Sequence, residues 1–496
     1  MSLSESKTRL LKQGVWLFFT VAWIAMVAVL ITGALNQPRG KMRAPEELLK
    51  GVHLPAESTW MGVYVNNEKI GFVRSEVEPL KSSGYELREF SRLQGAMMGA
   101  MQQMRVRMTI VTDSTLAMRS FDGRVEVENY LTTFAGRIED KVLQIEVINA
   151  GQKTEKAIPA PEPIYMSQAI KPLLQAGRLA KGDSLKLAGF DPMKLEMQEM
   201  TVIGAALEPQ RLWGEDVLAR KLTTYLAGFE STVYVDAQGN TLAEYGPMGL
   251  TMRREDEETA LAVSENDIPV DFLTIYSIKP RGKIHAPRRA ERCEFEITGY
   301  DLNLIEKASD RQSLDMIRQN VVFVNRRSTP PPQPPEKLLY YKLDAPFIES
   351  RSPQIRAAAI AAVRGGTSML DSLDKLNWWV FKAVDKKPSA GLPSAVGVLE
   401  KREGDCNEHA VLFTALARSL GVPTRLQMGV VYQGDRFYYH AWVACWLEDR
   451  WIEFDPTFGQ DRADAARIAL TSGNLMDSVD LIKAIGNIEI GIVKVE

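Results

Sequence analysis

Residues 404–425 read GDCNEHAVLFTALARSLGVPTR, and residues 438–457 read YYHAWVACWLEDRWIEFDPT. The first stretch predicts a helix that begins near Cys406 and ends at Gly421. The second stretch contains two runs of strand-forming residues, which predict neighbouring antiparallel strands with Glu448-Asp449-Arg450 at their turn. A helix followed by an antiparallel sheet is an α+β pattern.

Two helices and one strand extend this pattern. Residues 352–366 have a Ser-Pro start and a Gly-Gly end, and residues 368–384 place leucines near helical spacing, so both segments predict helices. Residues 426–433, LQMGVVYQ, predict a strand between the two stretches quoted above. We therefore expect residues 338–496 to form a domain in which helices come first and an antiparallel sheet follows.

Three residues of this predicted domain carry groups that act together in thiol enzymes. Cys406 stands at a predicted helix start, where free N–H groups and the helix dipole stabilise an anion and favour the reactive thiolate. His440 lies on one predicted strand and Asp455 at the end of the next, so the histidine can take the thiol proton and the aspartate can orient the imidazole. Each residue alone is more often structural, but the three together favour a catalytic site.

The G-D-C, H-A-W and D-P-T motifs resemble those of the bacterial transglutaminase-like domain, which has a papain-like fold. The resemblance covers roughly residues 338–475 and does not extend to the preceding region. It implies that Cys406 is the nucleophile, His440 the general base and Asp455 the residue that orients it. It further implies attack on an amide of a protein or peptide, and a thioester that passes to an amine or to water. Transglutamination, deamidation and peptide hydrolysis stay open, and none of them needs a metal or a cofactor.

Other residues near the motifs are weaker candidates. His409 lies three residues after Cys406 and is a rival base, although a packing or capping role is favoured. Cys445 lies five residues after His440, so it points to the opposite face of the strand and is expected in the core. The backbone N–H of Cys406 is a candidate donor to an oxyanion, and no second donor can be named.

The region before this domain has strand character. Residues 59–255 contain many medium strands and one helical insert, which predict a large antiparallel β-rich region. Residues 266–328 predict a second, smaller β unit, and residues 328–337 hold five prolines in ten positions, which is typical of a polyproline linker. The linker is the predicted boundary before residues 338–496.

The N-terminus predicts a membrane anchor. Residues 1–14 form a short tail, and residues 15–35 are an uncharged apolar run long enough to span a bilayer as a helix. A retained signal anchor is favoured over a cleavable signal peptide, whose apolar core is shorter, about 7–15 residues. We expect a single-pass membrane protein with the bulk of the chain outside the cytoplasm.

Composition narrows the function further. The 496 residues carry a net charge of -3, which provides no electrostatic reason to expect nucleic-acid binding. Three cysteines cannot build a disulfide framework. The oligomeric state is left open. The alternative to an enzyme is an envelope-anchored scaffold or binding protein in which the transglutaminase-like module is catalytically silent.

Overall fold

The described part of the chain begins after the predicted anchor. The computed structural model describes residues 41–50, 53–97, 100–127, 130–149, 152–160, 163–175, 179–192, 195–226, 229–262, 275–318, 320–328, 337–387, 393–475 and 484–496. The tail 1–14 and the predicted membrane segment 15–35 lie outside these residues. Within them, no helix combines the length and the apolar character that crossing a bilayer requires.

The first half of the described chain forms a sheet of sixteen strands, as predicted for a large antiparallel region. Strands β2 to β9 pair in chain order, and β16 pairs with β2 to join them to the strands from β10 onward. The strands are β1 (Met42–Arg43), β2 (Glu57–Val65), β3 (Glu68–Pro79), β4 (Tyr85–Met97), β5 (Ala100–Thr112), β6 (Met118–Val127), β7 (Tyr130–Glu139), β8 (Val142–Asn149), β9 (Gln152–Pro159), β10 (Ser184–Asp191), β11 (Glu196–Ile203), β12 (Leu207–Leu212), β13 (Glu215–Leu226), β14 (Phe229–Val235), β15 (Thr241–Tyr245) and β16 (Leu250–Glu255). Three short helices accompany them: α1 (Pro45–Leu49), α2 (Ile170–Gln175) and α3 (Glu257–Leu261).

Tight turns and one apolar face hold this sheet together. Asn66 and Asn67 both have positive φ, of 49° and 71°, which suits a two-residue hairpin whose twist matches that of the flanking strands. Apolar side chains on one face of the sheet pack with Leu48 of α1 and Leu173 of α2 into a single core. The predicted helical insert is thus confirmed as α2, which covers part of the sheet.

The second half contains five helices and ten strands among the described residues. The helices are α4 (Leu302–Ala308), α5 (Pro353–Ala362), α6 (Met369–Ala383), α7 (Ala395–Lys401) and α8 (Cys406–Ser419). The strands are β17 (Arg292–Thr298), β18 (Gln312–Leu314), β19 (Val321–Asn325), β20 (Asp385–Lys386), β21 (Glu403–Gly404), β22 (Thr424–Gln433), β23 (Arg436–Leu447), β24 (Arg450–Phe454), β25 (Arg467–Gly473) and β26 (Glu489–Val495). They form the β22–β25 sheet, which is antiparallel in the order β24-β23-β22-β25, and a parallel pair, β20 and β21. A second antiparallel sheet, in the order β18-β19-β17-β26, has shorter strands and is called the smaller sheet below.

Helices α5 to α8 and the smaller sheet cover the same face of the β22–β25 sheet. On β22, Leu426 and Met428 pack into the core of the helices, whereas Val430 and Tyr432 pack into the core of the smaller sheet. Alternate residues of a strand point to one face, so the helices cover one end of that face and the smaller sheet covers the other.

The predicted α+β character of the second half is confirmed, because helices α5 to α8 precede strands β22 to β25. Strand β26, at the end of the chain, pairs with β17, so the small β unit predicted at 266–328 is completed by C-terminal residues. Residues 263–274 and 329–336, where two boundaries were expected, lie outside the described residues, and the predicted domain limits remain predictions.

Candidate active site

Helix α8 begins at Cys406 because the residues before it cap the helix. The Asp405 carboxylate accepts a hydrogen bond from the N–H of Asn407 at 2.8 Å, and the Glu408 carboxylate accepts one from the N–H of Asp405 at 2.8 Å. This reciprocal capping box satisfies donors that an exposed helix start would leave unpaired. A Cβ at position 404 would lie 2.2 Å from Cβ of Glu408, so only glycine fits there. The G-D-C-N-E sequence therefore sets the position of the thiol.

The Cys406 thiol is half-buried against the helix core and lies at the backbone of β23. The backbone of Ala441, the residue after His440, lies close enough to the sulfur to lower the pKa of the thiol. Burial and the Asp405 carboxylate raise the pKa of the Cys406 thiol well above its ordinary value. This rise in pKa contradicts the expectation from the sequence that a thiol at a helix start ionises easily. Burial and a neighbouring carboxylate oppose the helix terminus, so a base is required to form the thiolate.

His440 is held in a fixed orientation on β23. Its Nε2 lies 2.8 Å from Oδ2 of Asp455, and the side chain is buried. The ring stacks on Phe458, with centroids 4.8 Å apart and planes 12° from parallel. Trp442 lies two residues further along β23, and its ring centroid is 6.1 Å from that of His440. With Nε2 paired to the carboxylate, Nδ1 is the nitrogen left to exchange a proton with a substrate or a thiol.

Asp455 is fully buried directly after β24. Its Oδ1 accepts hydrogen bonds from the N–H groups of Thr457 and Phe458, each at 3.0 Å. Burial alone would raise the carboxyl pKa, but the charges of His440 and Arg467 outweigh it and hold the pKa of Asp455 well below its usual range. Asp455 is therefore ionised and can stabilise a protonated imidazole.

Arg467 is the main residue of the site that the sequence interpretation missed. Its guanidinium is fully buried, with Nη1 2.5 Å from Oδ2 of Asp455 and Nη2 3.0 Å from Oδ2 of Asp464. The Asp464 carboxylate also accepts a hydrogen bond from Nη1 of Arg288 at 2.8 Å. An arginine inside the apolar run AARIAL, residues 465–470, was the available signal, because a buried arginine requires carboxylate partners.

The rival base has different surroundings. His409 is fully buried on α8, and its Nδ1 lies 2.6 Å from the carbonyl oxygen of Asp405, to which it donates. Burial lowers the pKa of His409. Its contact is with the helix start, whereas His440 contacts the carboxylate of Asp455, so the arrangement favours His440 as the base.

The other two cysteines lie in cores. Cys445 is fully buried, with its sulfur 3.5 Å from the Thr424 hydroxyl, and burial raises its pKa to about 12. Cys293 is fully buried in the smaller sheet, and burial raises its pKa to about 12 as well. The expected core position of Cys445 is confirmed.

The comparisons with known proteins agree with the motifs. Residues 356–456 match the model of the transglutaminase-like superfamily, and this span contains Cys406, His440 and Asp455. No curated protein sequence matches the chain.

Several solved structures are similar to parts of the chain. A candidate cysteine protease from Cytophaga hutchinsonii is 14% identical, covers 44% of this chain and 82% of its own, and has a TM-score of 0.27. A β-barrel-like protein from Brucella abortus is 11% identical over 41% of this chain and 96% of its own, with a TM-score of 0.33. A candidate protease from Parabacteroides distasonis is 10% identical over 73% of this chain and 65% of its own, with a TM-score of 0.21.

Proposed function

Because residues 356–456 form a transglutaminase-like domain, we propose that the protein is a thiol enzyme acting on amide bonds of protein or peptide substrates. The observation that carries the proposal is the 2.8 Å contact between His440 and Asp455. The residue after His440, Ala441, lies close to the Cys406 sulfur. An ionised, buried aspartate on the far side of an imidazole is the arrangement that a histidine base needs.

In the first step, Nδ1 of His440 takes the proton of Cys406, and the sulfur attacks the amide carbon of the substrate. The carbonyl electron pair moves to oxygen, where the N–H of Cys406 at the start of α8 can donate to the negative charge. The carbonyl then re-forms, the C–N bond breaks, and the imidazolium gives its proton to the leaving nitrogen. Asp455 stabilises the imidazolium between the two proton transfers.

In the second step, an acceptor releases the thioester. His440 takes a proton from water or from an amine as the acceptor attacks, the C–S bond breaks, and the sulfur recovers a proton. Water leads to deamidation or peptide hydrolysis, and an amine leads to transglutamination. The triad serves all three outcomes, which differ in which acceptor reaches the thioester.

The apolar run at residues 15–35 supports membrane anchoring of this enzyme. As a signal anchor it would hold the described domains close to a bilayer, outside the cytoplasm. Substrates would then be proteins or peptides of the cell envelope or its surroundings.

Thiol labelling followed by an activity assay tests the proposal. Limiting iodoacetamide should give one adduct, at Cys406, because Cys293 and Cys445 are buried in cores whereas Cys406 is partly exposed and has His440 as its proposed base. A glutamine-containing peptide with a fluorescent primary amine should then release ammonia or incorporate the amine. Cys406→Ala should abolish both the adduct and the turnover.

The scaffold alternative predicts a different result. A silent module would bind the same peptides without releasing ammonia, incorporating amine or cleaving the chain. The raised pKa of the Cys406 thiol is the observation that favours this alternative. Turnover that is unchanged in Cys406→Ala, or equal in wild type and His440→Ala, would contradict the proposed triad.

A further inference from the structure

A cavity of about 430 Å³ opens beside strand β24, away from the thiol. This volume is within the range of roughly 300–1,000 Å³ that is typical of ligand sites. Five arginines line the cavity: Arg311, Arg326, Arg327, Arg450 and Arg462. Such a concentration of guanidinium groups favours an anionic ligand, because arginine binds carboxylates and phosphates in a bidentate way.

The carboxylates of the cavity do not cancel this charge. Three glutamates share the lining with the five arginines, and Asp374 pairs with Arg462 from outside it, which leaves an excess of one positive charge. One of them, Glu453, is fully buried and already neutralised by Arg311, at 3.0 Å. Glu453 also accepts a hydrogen bond from Trp442 at 2.7 Å. This pair is therefore part of the floor of the cavity. Two further arginines are also paired, Arg326 with Glu291 at 2.9 Å and Arg462 with Asp374 at 2.7 Å.

The other two arginines, Arg327 and Arg450, are available to a ligand. Arg450 pairs at 3.0 Å with Glu448, and both side chains are more than a third exposed, so this surface pair is weak and an incoming anion can compete for it. Arg327 is exposed and has no ion pair or hydrogen bond within the described ranges. It is the guanidinium with the most unused donors in the cavity.

The floor of the cavity leads to the candidate active site. Trp451, Ile452 and Glu453 of β24 line it, and the same segment continues into Asp455. The β24 edge is not open for pairing with a further strand, because the Ser328 hydroxyl donates to the carbonyl of Trp451 at 2.5 Å and Ala463 N–H donates to that of Glu453 at 3.0 Å. Recognition at this edge therefore falls to side chains, chiefly to the arginines.

We propose that this cavity binds an acidic side chain of the protein or peptide substrate, a proposal that rests on the function proposed above. An aspartate or glutamate of the substrate would pair with Arg327 and Arg450, while a neighbouring part of the same polypeptide reaches Cys406. The enzyme would then prefer glutamine-containing peptides that carry carboxylates near the reactive amide.

Equilibrium binding tests this proposal without turnover. The probe is a fluorescent glutamine peptide flanked by glutamates, and its match has every glutamate replaced by glutamine. Binding is measured by anisotropy to full-length Cys406→Ala protein. The acidic peptide should bind more tightly, and Arg327→Gln should weaken its binding about tenfold, the loss expected for one hydrogen-bonded charge. Arg364→Gln, at an exposed arginine after α5, should leave binding unchanged.

Three results would overturn the proposal. These are equal binding of the two peptides, acidic-peptide binding that is insensitive to Arg327→Gln, and displacement of the peptide by inorganic phosphate at equal concentration, which would mark a phosphate site. Circular dichroism checks that the exposed substitution leaves the fold intact. If the cavity proposal fails while Cys406-dependent turnover of the neutral peptide persists, the proposed function stands without it.

Discussion

Arg467 connects the candidate histidine–aspartate pair to the rest of the domain. Its guanidinium lies between Asp455 and Asp464, and all three side chains are fully buried. The pKa of Arg467 is raised, because the attraction of the two carboxylates outweighs the effect of burial. One buried cation thus keeps Asp455 charged and fixes the carboxylate that His440 contacts, so Arg467 is a positioning residue.

Replacing Arg467 with methionine should therefore affect both stability and the pH profile. Removing one partner of a buried ion pair costs about 3–5 kcal/mol. The pKa of Asp455 should rise towards neutrality, and turnover should decline at a higher pH than in wild type as the solution is acidified. Denaturant unfolding and the acid limb of the pH–rate profile measure the two effects. Arg467→Lys should restore part of the acid limb, which a purely structural role would not require, and Arg364→Met is the matched surface control.

Asp405 opposes ionisation of the Cys406 thiol. Its carboxylate is buried at the helix start, and burial and Glu408 raise its own pKa. It is also the neighbouring charge that contributes most to raising the pKa of Cys406, after burial. Asparagine caps a helix as well as aspartate does, so Asp405→Asn removes the charge and keeps the cap.

We expect Asp405→Asn to lower the pKa of the Cys406 thiol. The thiolate is the reactive form, so the rate of reaction with iodoacetamide rises as the thiol ionises. The midpoint of this rise should lie at a lower pH in the variant than in wild type. The rate at pH 7 should increase accordingly. Rate measurements over a pH series that extends well above the ordinary thiol range compare the two midpoints, and Glu400→Gln, on the exposed surface of α7, is the control. A midpoint that moves upward or stays in place would contradict the assigned role of Asp405.

Among the elements, the β23–β24 hairpin brings the histidine and the aspartate together. Glu448 and Asp449 form its turn with φ values of 54° and 55°, which is the backbone of a two-residue type I′ hairpin. The turn sets the register, in which Val443 pairs with Phe454, the residue before Asp455. The predicted hairpin is confirmed, and the 2.8 Å contact follows from its register.

The start of α8 is the second decisive element, and Gly404→Ala tests it. The added Cβ would lie 2.2 Å from Cβ of Glu408, so the capping box must shift. Overpacking of this kind costs about 1–3 kcal/mol. The displacement should also slow the labelling of Cys406. Thermal unfolding and labelling rates check both effects.

Gly246→Ala is the control for this substitution. A Cβ added at Gly246 would lie 3.9 Å from the nearest heavy atoms, and the φ angle of Gly246 is negative. Both unfolding temperature and Cys406 labelling should stay close to wild type in this variant. An equal effect of the two substitutions would contradict a special requirement for glycine at position 404.

On the scale of the whole molecule, the end of the chain completes the sheet that supports the site. Strand β26 pairs with β17, and Cys293 of β17 lies opposite Val495. This smaller sheet shares a core with Val430 and Phe437, of β22 and β23. The support beneath the His440 strand thus includes strand β26.

Deleting residues 489–496 should therefore expose Cys293 and loosen the site. Cys293 is fully buried in the intact chain and should become open to alkylation, while the melting temperature falls. Mass mapping of iodoacetamide adducts detects this change directly. The exposed substitution Lys494→Gln should leave Cys293 unmodified. A truncated chain that still protects Cys293 would show that β26 is dispensable for this sheet.

The sequence by itself determined what depends on short-range patterns. These are the helix that starts at Cys406, the strands that carry His440 and Asp455, the turn between them and the β-rich first half. Helical spacing, strand alternation and turn residues act over a few positions, so they can be recognised without the fold.

Only the tertiary structure decided what depends on distant residues. Arg467 begins β25 and Asp455 follows β24, at opposite edges of one sheet, and β26 returns to β17 over almost two hundred positions. The direction of the Cys406 pKa is of the same kind, because burial and the field of nearby carboxylates depend on packing. Desolvation and ion pairing are set by which groups meet in space, and local spacing carries no record of those meetings.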